Sequence, residues 1–134
     1  MSNPYEFRSL TEGIEVIVRP FYAQELSQPN NHKYVYVYRV KIKNHSDYPI
    51  KLMSREWHII EEDGISQNVS GDGVIGKQPI INTDQDFEYA SQAILFAKTA
   101  IMYGTYNCQN LKNHEMIEVA IPAFSLDLDT VRAE

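Results

Sequence analysis

The chain has 134 residues, 43% of them apolar, and its 12 Lys and Arg against 18 Asp and Glu give a formal net charge of −6. That length suits one self-supporting domain, and the acidic balance excludes nucleic-acid affinity built on phosphate neutralisation. A single cysteine, Cys108, rules out an internal disulfide, no apolar run approaches a membrane span, and residues 1–10 hold no signal-peptide core; a cytoplasmic domain without membrane insertion is expected.

Residues 1–13, with Pro4, read as an irregular lead-in. From Ile14 the alternation of Ile14, Val16 and Val18 with Glu15, Ile17 and Arg19 has the two-residue period of a strand. Pro20 has no N–H for a ladder, so this strand lies at an edge or ends there. Residues 24–33 form a polar loop around Pro29-Asn-Asn. Residues 34–44 give the clearest strand, with Tyr34, Tyr36, Tyr38, Val40 and Ile42 on one face and Val35, Val37, Arg39, Lys41 and Lys43 on the other. Turn chemistry at 44–49 leads to a strand over 50–61, which places Met53, Arg55 and Ile59 with Trp57, and Ile50, Leu52, His58 and Ile60 opposite. Asp63-Gly64 is a hairpin signal. Phe87, Tyr89, Ser91 and Ala93 alternate with Glu88, Ala90 and Gln92; residues 100–108 continue with Met102, Gly104 and Tyr106 on one side. A polar hairpin over 107–114 precedes a strand over 116–124 that Pro122 stops, with Leu126 and Leu128 prolonging it beyond a bend and a frayed tail at 129–134.

Between Ile65 and Phe87 lies the segment that invites a nucleotide reading. Gly71, Gly73 and Gly76 spell G-x-G-x-x-G, and Gly71 to Lys77 nearly spells a P-loop, with Gln78 where Ser or Thr belongs. Both motifs need a buried strand before the glycines and a helix after them, so that backbone amides meet phosphate at the helix N-terminus. Here only the short, polar Ile65-Ser-Gln-Asn-Val-Ser70 precedes them, and Pro79 and a turn-rich run follow. The expectation is therefore a glycine-rich loop in extended chain that turns with positive φ or passes close to another backbone. An anion nest of Gly71, Gly73, Gly76 and Lys77 without a helix is the alternative.

These turn-separated strands, about seven of them, predict an all-β sandwich of two antiparallel sheets, of immunoglobulin or fibronectin type III kind, over residues 14–128. The blocks Tyr34-Val-Tyr-Val-Tyr-Arg-Val-x-Ile-x-Asn44, Arg55-Glu-Trp-His-Ile59, Gly71-x-Gly-Val-Ile-Gly-x-Gln-Pro-x-Ile81, Phe87-x-Tyr-x-Ser91, Met102-x-Gly-x-Tyr106 and Ile121-Pro-x-Phe124 resemble the ApaG domain family in the same order. Gln92 and Lys98-Thr-Ala100 depart from its pattern. The resemblance implies a fibronectin type III-like sandwich, and for bacterial members an association with cobalt resistance and magnesium efflux. Eukaryotic members are appended to F-box proteins and to a polymerase-delta-interacting protein, where the domain resembles a partner-binding module. The family's glycine motif also carries a suggestion of pyrophosphate binding.

No catalytic constellation emerges from the remaining residues. His32, His45, His58 and His114 have no i,i+2 or i,i+4 partner among themselves, and Glu61-Glu-Asp63 beside His58 reads as a solvated strand end, so no metal site is expected. Cys108 reads as a structural thiol, and Ser70 and Ser91 lack a hydrolase elbow. The tyrosines and the cations of residues 34–44 fall on opposite faces, contrary to a single-strand nucleic-acid platform. The sequence thus predicts a non-catalytic module without cofactor that engages an unidentified protein through a loop end or sheet edge, with pairing of two copies left open.

Overall fold

The computed structural model describes residues 5–128. Nine strands run in the order β1 (Phe7–Thr11), β2 (Ile14–Tyr22), β3 (Tyr34–Asn44), β4 (Ile50–Glu61), β5 (Ser66–Asp72), β6 (Ile80–Ile81), β7 (Asp86–Leu95), β8 (Ala100–Asn110) and β9 (Met116–Leu126). The helical content among the described residues is two 3-10 turns, Gln24–Leu26 and Pro29–Asn31, inside the expected polar loop. One sheet has the order β1-β2-β3-β7 and the other β5-β4-β8-β9, with β6 added to β4. Every pairing is antiparallel. This is the two-sheet sandwich the sequence predicts, with nine strands in place of about seven.

The core lies between the sheets. Tyr34, Tyr36, Tyr38, Val40 and Ile42 of β3 are all buried, as their alternation requires. Trp57 occupies the middle, with Tyr38 at 5.2 Å, Phe124 at 5.9 Å and Tyr106 at 6.4 Å between ring centroids. The last two contacts are edge-on, the geometry that ring quadrupoles favour.

Three strands have little sequence signal. Residues 1–13, read as an irregular lead-in, contain β1: Glu12 and Gly13, both at positive φ, make a two-residue turn that folds Phe7–Thr11 back on β2. Residues 1–4, and the tail expected at 129–134, lie outside the described residues. Pro20 does not end β2. It sits past the last residue paired to β1, where one side of β2 has no ladder to lose. The polar β5 is signalled only by the Asp63-Gly64 hairpin that leads into it, and the two-residue β6 has no signal of its own.

Two bulges re-phase the long strands. In β4 the register slips between Leu52 and Ser54, making Met53 an extra residue. Ile50 and Leu52 therefore face inward, and so do Trp57, Ile59 and Glu61, whereas the uninterrupted alternation expected from the sequence sets the first pair opposite Trp57. In β9 Pro122 and Ala123 together oppose Tyr103, so Ile121 and Phe124 are both buried. Pro122 does not stop this strand, because a bulge in an edge strand accommodates the missing N–H.

The two ends of the sheet stack differ. β9 packs against β1 and β2, and the seam is stitched by Ser9 Oγ donating to Ala120 O at 2.7 Å and Ala120 N donating to Thr11 Oγ1 at 3.1 Å. At the other end β5 and β7 are the outermost strands and form no ladder with each other. Gln67 Nε2 reaches Ile94 O there at 3.5 Å, a long contact.

Candidate functional site

The open end is built by the glycine segment and the Met53 bulge together. Gly71 is a ladder residue of β5 opposite Arg55. The carbonyl of Met53, turned out of the β4 ladder, accepts from Gly73 N at 2.8 Å and Gln78 Nε2 at 2.9 Å. Val74 and Lys77 exchange both backbone hydrogen bonds, at 2.8 and 2.9 Å, closing a two-residue turn over Ile75 and Gly76. Both tip residues have positive φ, 44° and 76°, which costs a β-branched residue such as Ile75 strain. Gly73 permits a close approach: a Cβ there would lie 1.9 Å from Lys77 O. No helix follows Lys77; the chain passes Pro79 into β6.

Of the segment's amides, those of Gly73, Val74 and Lys77 are bonded to backbone carbonyls. The amides of Ile75 and Gly76 have no acceptor among the described residues, and the Lys77 side chain is exposed beside them.

Beneath the segment lies Arg55, on the inward side of β4 and half-buried. Its Nη1 donates to Asp72 O at 3.1 Å and Gly73 O at 2.8 Å. The guanidinium rests against Gly71, where a Cβ would come within 3.2 Å of Nη1 and 3.3 Å of Nη2. Along the same inward side of β5, Val69 stands opposite Trp57, yet Val69 is 43% exposed and Trp57 only 2%. The inner face of β5 is thus open to solvent at Val69.

Phenols line the neighbouring core. Tyr89 and Tyr106 share a hydrogen bond between their hydroxyls, and burial drives both well above the ordinary phenol value. Tyr38 is raised too, again by burial, against the pull of the Ser91 hydroxyl and the Arg55 charge. All three stay protonated at neutral pH and supply hydrogen bonds, not base chemistry. Cys108 is fully buried, and desolvation pushes its thiol up to about 12, far from a reactive thiolate.

The acidic run beside His58 does not converge. Glu61 faces inward and is 2% exposed; its Oε1 accepts from Phe96 N at 2.8 Å and Ala97 N at 2.7 Å, and its Oε2 from Gln67 Nε2 at 3.1 Å. It pins the connection from β7 to β8. His58 faces the other way, stacked on Tyr103 with Nδ1 at 2.9 Å from Asn68 Oδ1. His45 lies 2.9 Å from Glu15 instead. Among the described residues no three His, Cys, Asp or Glu side chains gather as metal ligands, and no helix is long and apolar enough to cross a membrane.

Sequence reasoning put Arg55 on the Trp57 side of its strand but missed its setting. The missing signal was β5, whose inward residues Gln67, Val69 and Gly71 include one apolar side chain and so show no apolar alternation.

Comparison with known proteins agrees with this architecture. The family model for the ApaG domain matches residues 24–110. The Protein ApaG of Sinorhizobium fredii is 46% identical over 121 residues, 90% of this chain and 92% of that protein, and that of Rhizobium meliloti is 46% identical over the same shares. The crystal structure of the ApaA protein of Bordetella pertussis superposes with a TM-score of 0.83 at 34% identity, covering 93% of this chain and 98% of that one. The C-terminal domain of wzt, at 10% identity and a TM-score of 0.56 over 95% of this chain and 85% of that one, shares the fold alone. With the model match spanning most of the sandwich and these identities running nearly end to end, the chain belongs to the ApaG domain family.

Proposed function

We propose that this protein is a non-catalytic interaction module that takes an extended segment of another protein along the open end of its sandwich. The observation that carries this reading is the pair of unprotected edges. Among the described residues β5 and β7 each have one side without a strand partner, and neither contains the Lys or Pro that edge strands commonly use to discourage pairing. An incoming strand gains main-chain hydrogen bonds from such an edge, and alternate side chains meet the uncovered face at Val69. The link to cobalt resistance and magnesium efflux that the family resemblance implies would then be exercised through the partner.

The test is selection of peptides from a random displayed library, followed by mapping of amide shifts on the labelled protein. Movement concentrated in residues 66–72 and 86–95 is expected. Peptides that shift only the outer sheet faces, or failure to select any, would defeat the reading. Sedimentation of the free protein separates edge-to-edge pairing of two copies from capture of a different chain.

A second reading rests on the free amides of Ile75 and Gly76 beside Lys77, within the 71–77 segment that also holds Gly71, Gly73 and Gly76. They offer two donors and a cation to pyrophosphate or a nucleotide. Calorimetry with pyrophosphate and ATP tests it: heat that disappears in Lys77→Ala supports it, and no heat at millimolar ligand ends it.

A further inference from the structure

The open end contains a charge that no acidic side chain among the described residues neutralises. Arg55 is half-buried, yet none of the ion pairs among the described residues includes it. Its Nη1 is bonded to the Asp72 and Gly73 carbonyls. Nε and Nη2 have no acceptor among the described residues, and neither is sealed from solvent, since no buried side-chain nitrogen lacks a partner. These two nitrogens form the side-on fork that matches both oxygens of a carboxylate.

The surroundings hold this fork in place. The carbonyls of Asp72 and Gly73 fix Nη1, the nitrogen outside the fork, and the bare backbone of Gly71 lets the guanidinium lie directly against the inner side of β5. A guanidinium partly withdrawn from water without a counter-charge is costly unless something supplies one.

We propose that Arg55 is the specificity-determining residue of the open end, and that it takes the carboxylate of an Asp or Glu side chain in the segment docked on β5. This rests on the reading that the open end takes an extended segment. A strand added to β5 lies about 4.8 Å beyond it, and alternate side chains fall on the inner face. The residue opposite Gly71 then reaches Arg55, and the residue two places along meets Val69 opposite Trp57. The motif recognised is therefore an acidic residue, a spacer and an apolar residue, in either chain direction.

The experiment uses peptides selected from a random displayed library on the full chain, each paired with an analogue in which its acidic residue is replaced by the corresponding amide. Wild type should bind the acidic form at least about tenfold more tightly, as expected for a hydrogen-bonded charge pair. That preference should vanish in Arg55→Gln and shrink in Arg55→Lys, which keeps the charge but loses the fork; thermal melting verifies that both variants fold. The peptide comparison on wild type stands even if a variant does not fold. Peptides that shift residues 66–72 without any acidic preference would overturn the role of Arg55 and leave the edge reading intact. Peptides that shift neither edge would overturn both. Inorganic phosphate competing as well as the peptide would also overturn the proposal, since the site would then serve free anions.

Discussion

Glu61→Ala is the sharpest test of how the open end is held together. The carboxylate is 2% exposed and fastens the connection after β7 through two successive amides, at 2.8 and 2.7 Å, and through Gln67 of β5 at 3.1 Å. Hydrogen bonds to a charged group contribute roughly 1.5–3 kcal/mol each. Phe96 is 62% exposed, so water reaches part of the freed connection and the sum is discounted to about 3–4 kcal/mol. For a domain of this length that lowers Tm by roughly 12–16 °C, at about 4 °C per kcal/mol. Glu61→Gln keeps one acceptor oxygen for the amides and loses charge assistance, so about 1–2 kcal/mol is expected. Urea unfolding followed by Trp57, the single tryptophan and a buried one, reads both values. Equal losses in the two variants, or a loss below about 1 kcal/mol for Ala, would refute the argument that acceptance by this carboxylate secures the connection.

Gly104→Ala would place a Cβ 2.1 Å from the Glu56 carbonyl oxygen, a backbone clash expected to cost more than about 2 kcal/mol in the same unfolding assay. Asn44→Asp removes donations from Nδ2 to Tyr48 O at 2.8 Å and Ile81 O at 2.9 Å and sets a carboxylate against both carbonyls; a loss of about 2–4 kcal/mol should appear as a lower urea midpoint. Glu6, bonded by Arg8, and Glu15, bonded by His45, titrate below the ordinary 4.5. Their contribution is therefore present above pH 4.5 and lost as pH falls through their lower folded values, so the stability gap between wild type and Glu6→Gln should narrow in acid and in high salt. Cys108, buried with its thiol raised to about 12, should react with a thiol reagent only at the rate of unfolding.

Periodicity read the inner strands well where both neighbours enforce it. Tyr34, Tyr36 and Tyr38 face the core because β3 lies between β2 and β7, and their alternation carries no interruption. It failed at Met53 and Pro122, where one inserted residue reverses which side of the strand is apolar. Nothing in the residue types around Met53 announces that insertion; its cause lies in the glycine segment, whose Gly73 and Gln78 occupy the Met53 carbonyl. The bulge and the segment are one feature made of two distant pieces of chain. A reading that takes strands one at a time cannot see it.

That coupling also explains why a nucleotide-like motif appears in a sandwich. Each glycine answers a packing demand: Gly71 makes room for the Arg55 guanidinium, Gly73 lets its backbone approach the Lys77 carbonyl, and Gly76 takes the positive φ of the turn. The arginine in turn depends on the segment, because the Asp72 and Gly73 carbonyls hold Nη1, the guanidinium nitrogen outside the fork. Gly71→Ala should therefore act at a distance from the turn: it displaces the guanidinium by a few tenths of an ångström while leaving the Val74–Lys77 pairing intact. If the glycines exist to seat Arg55, the substitution erodes the preference for an acidic peptide and leaves pyrophosphate heats unchanged. If the segment serves an anion at the turn instead, Gly71→Ala leaves the acidic preference untouched, and Lys77→Ala is the change that removes pyrophosphate heat. The acidic preference of the Gly71→Ala variant therefore decides between them.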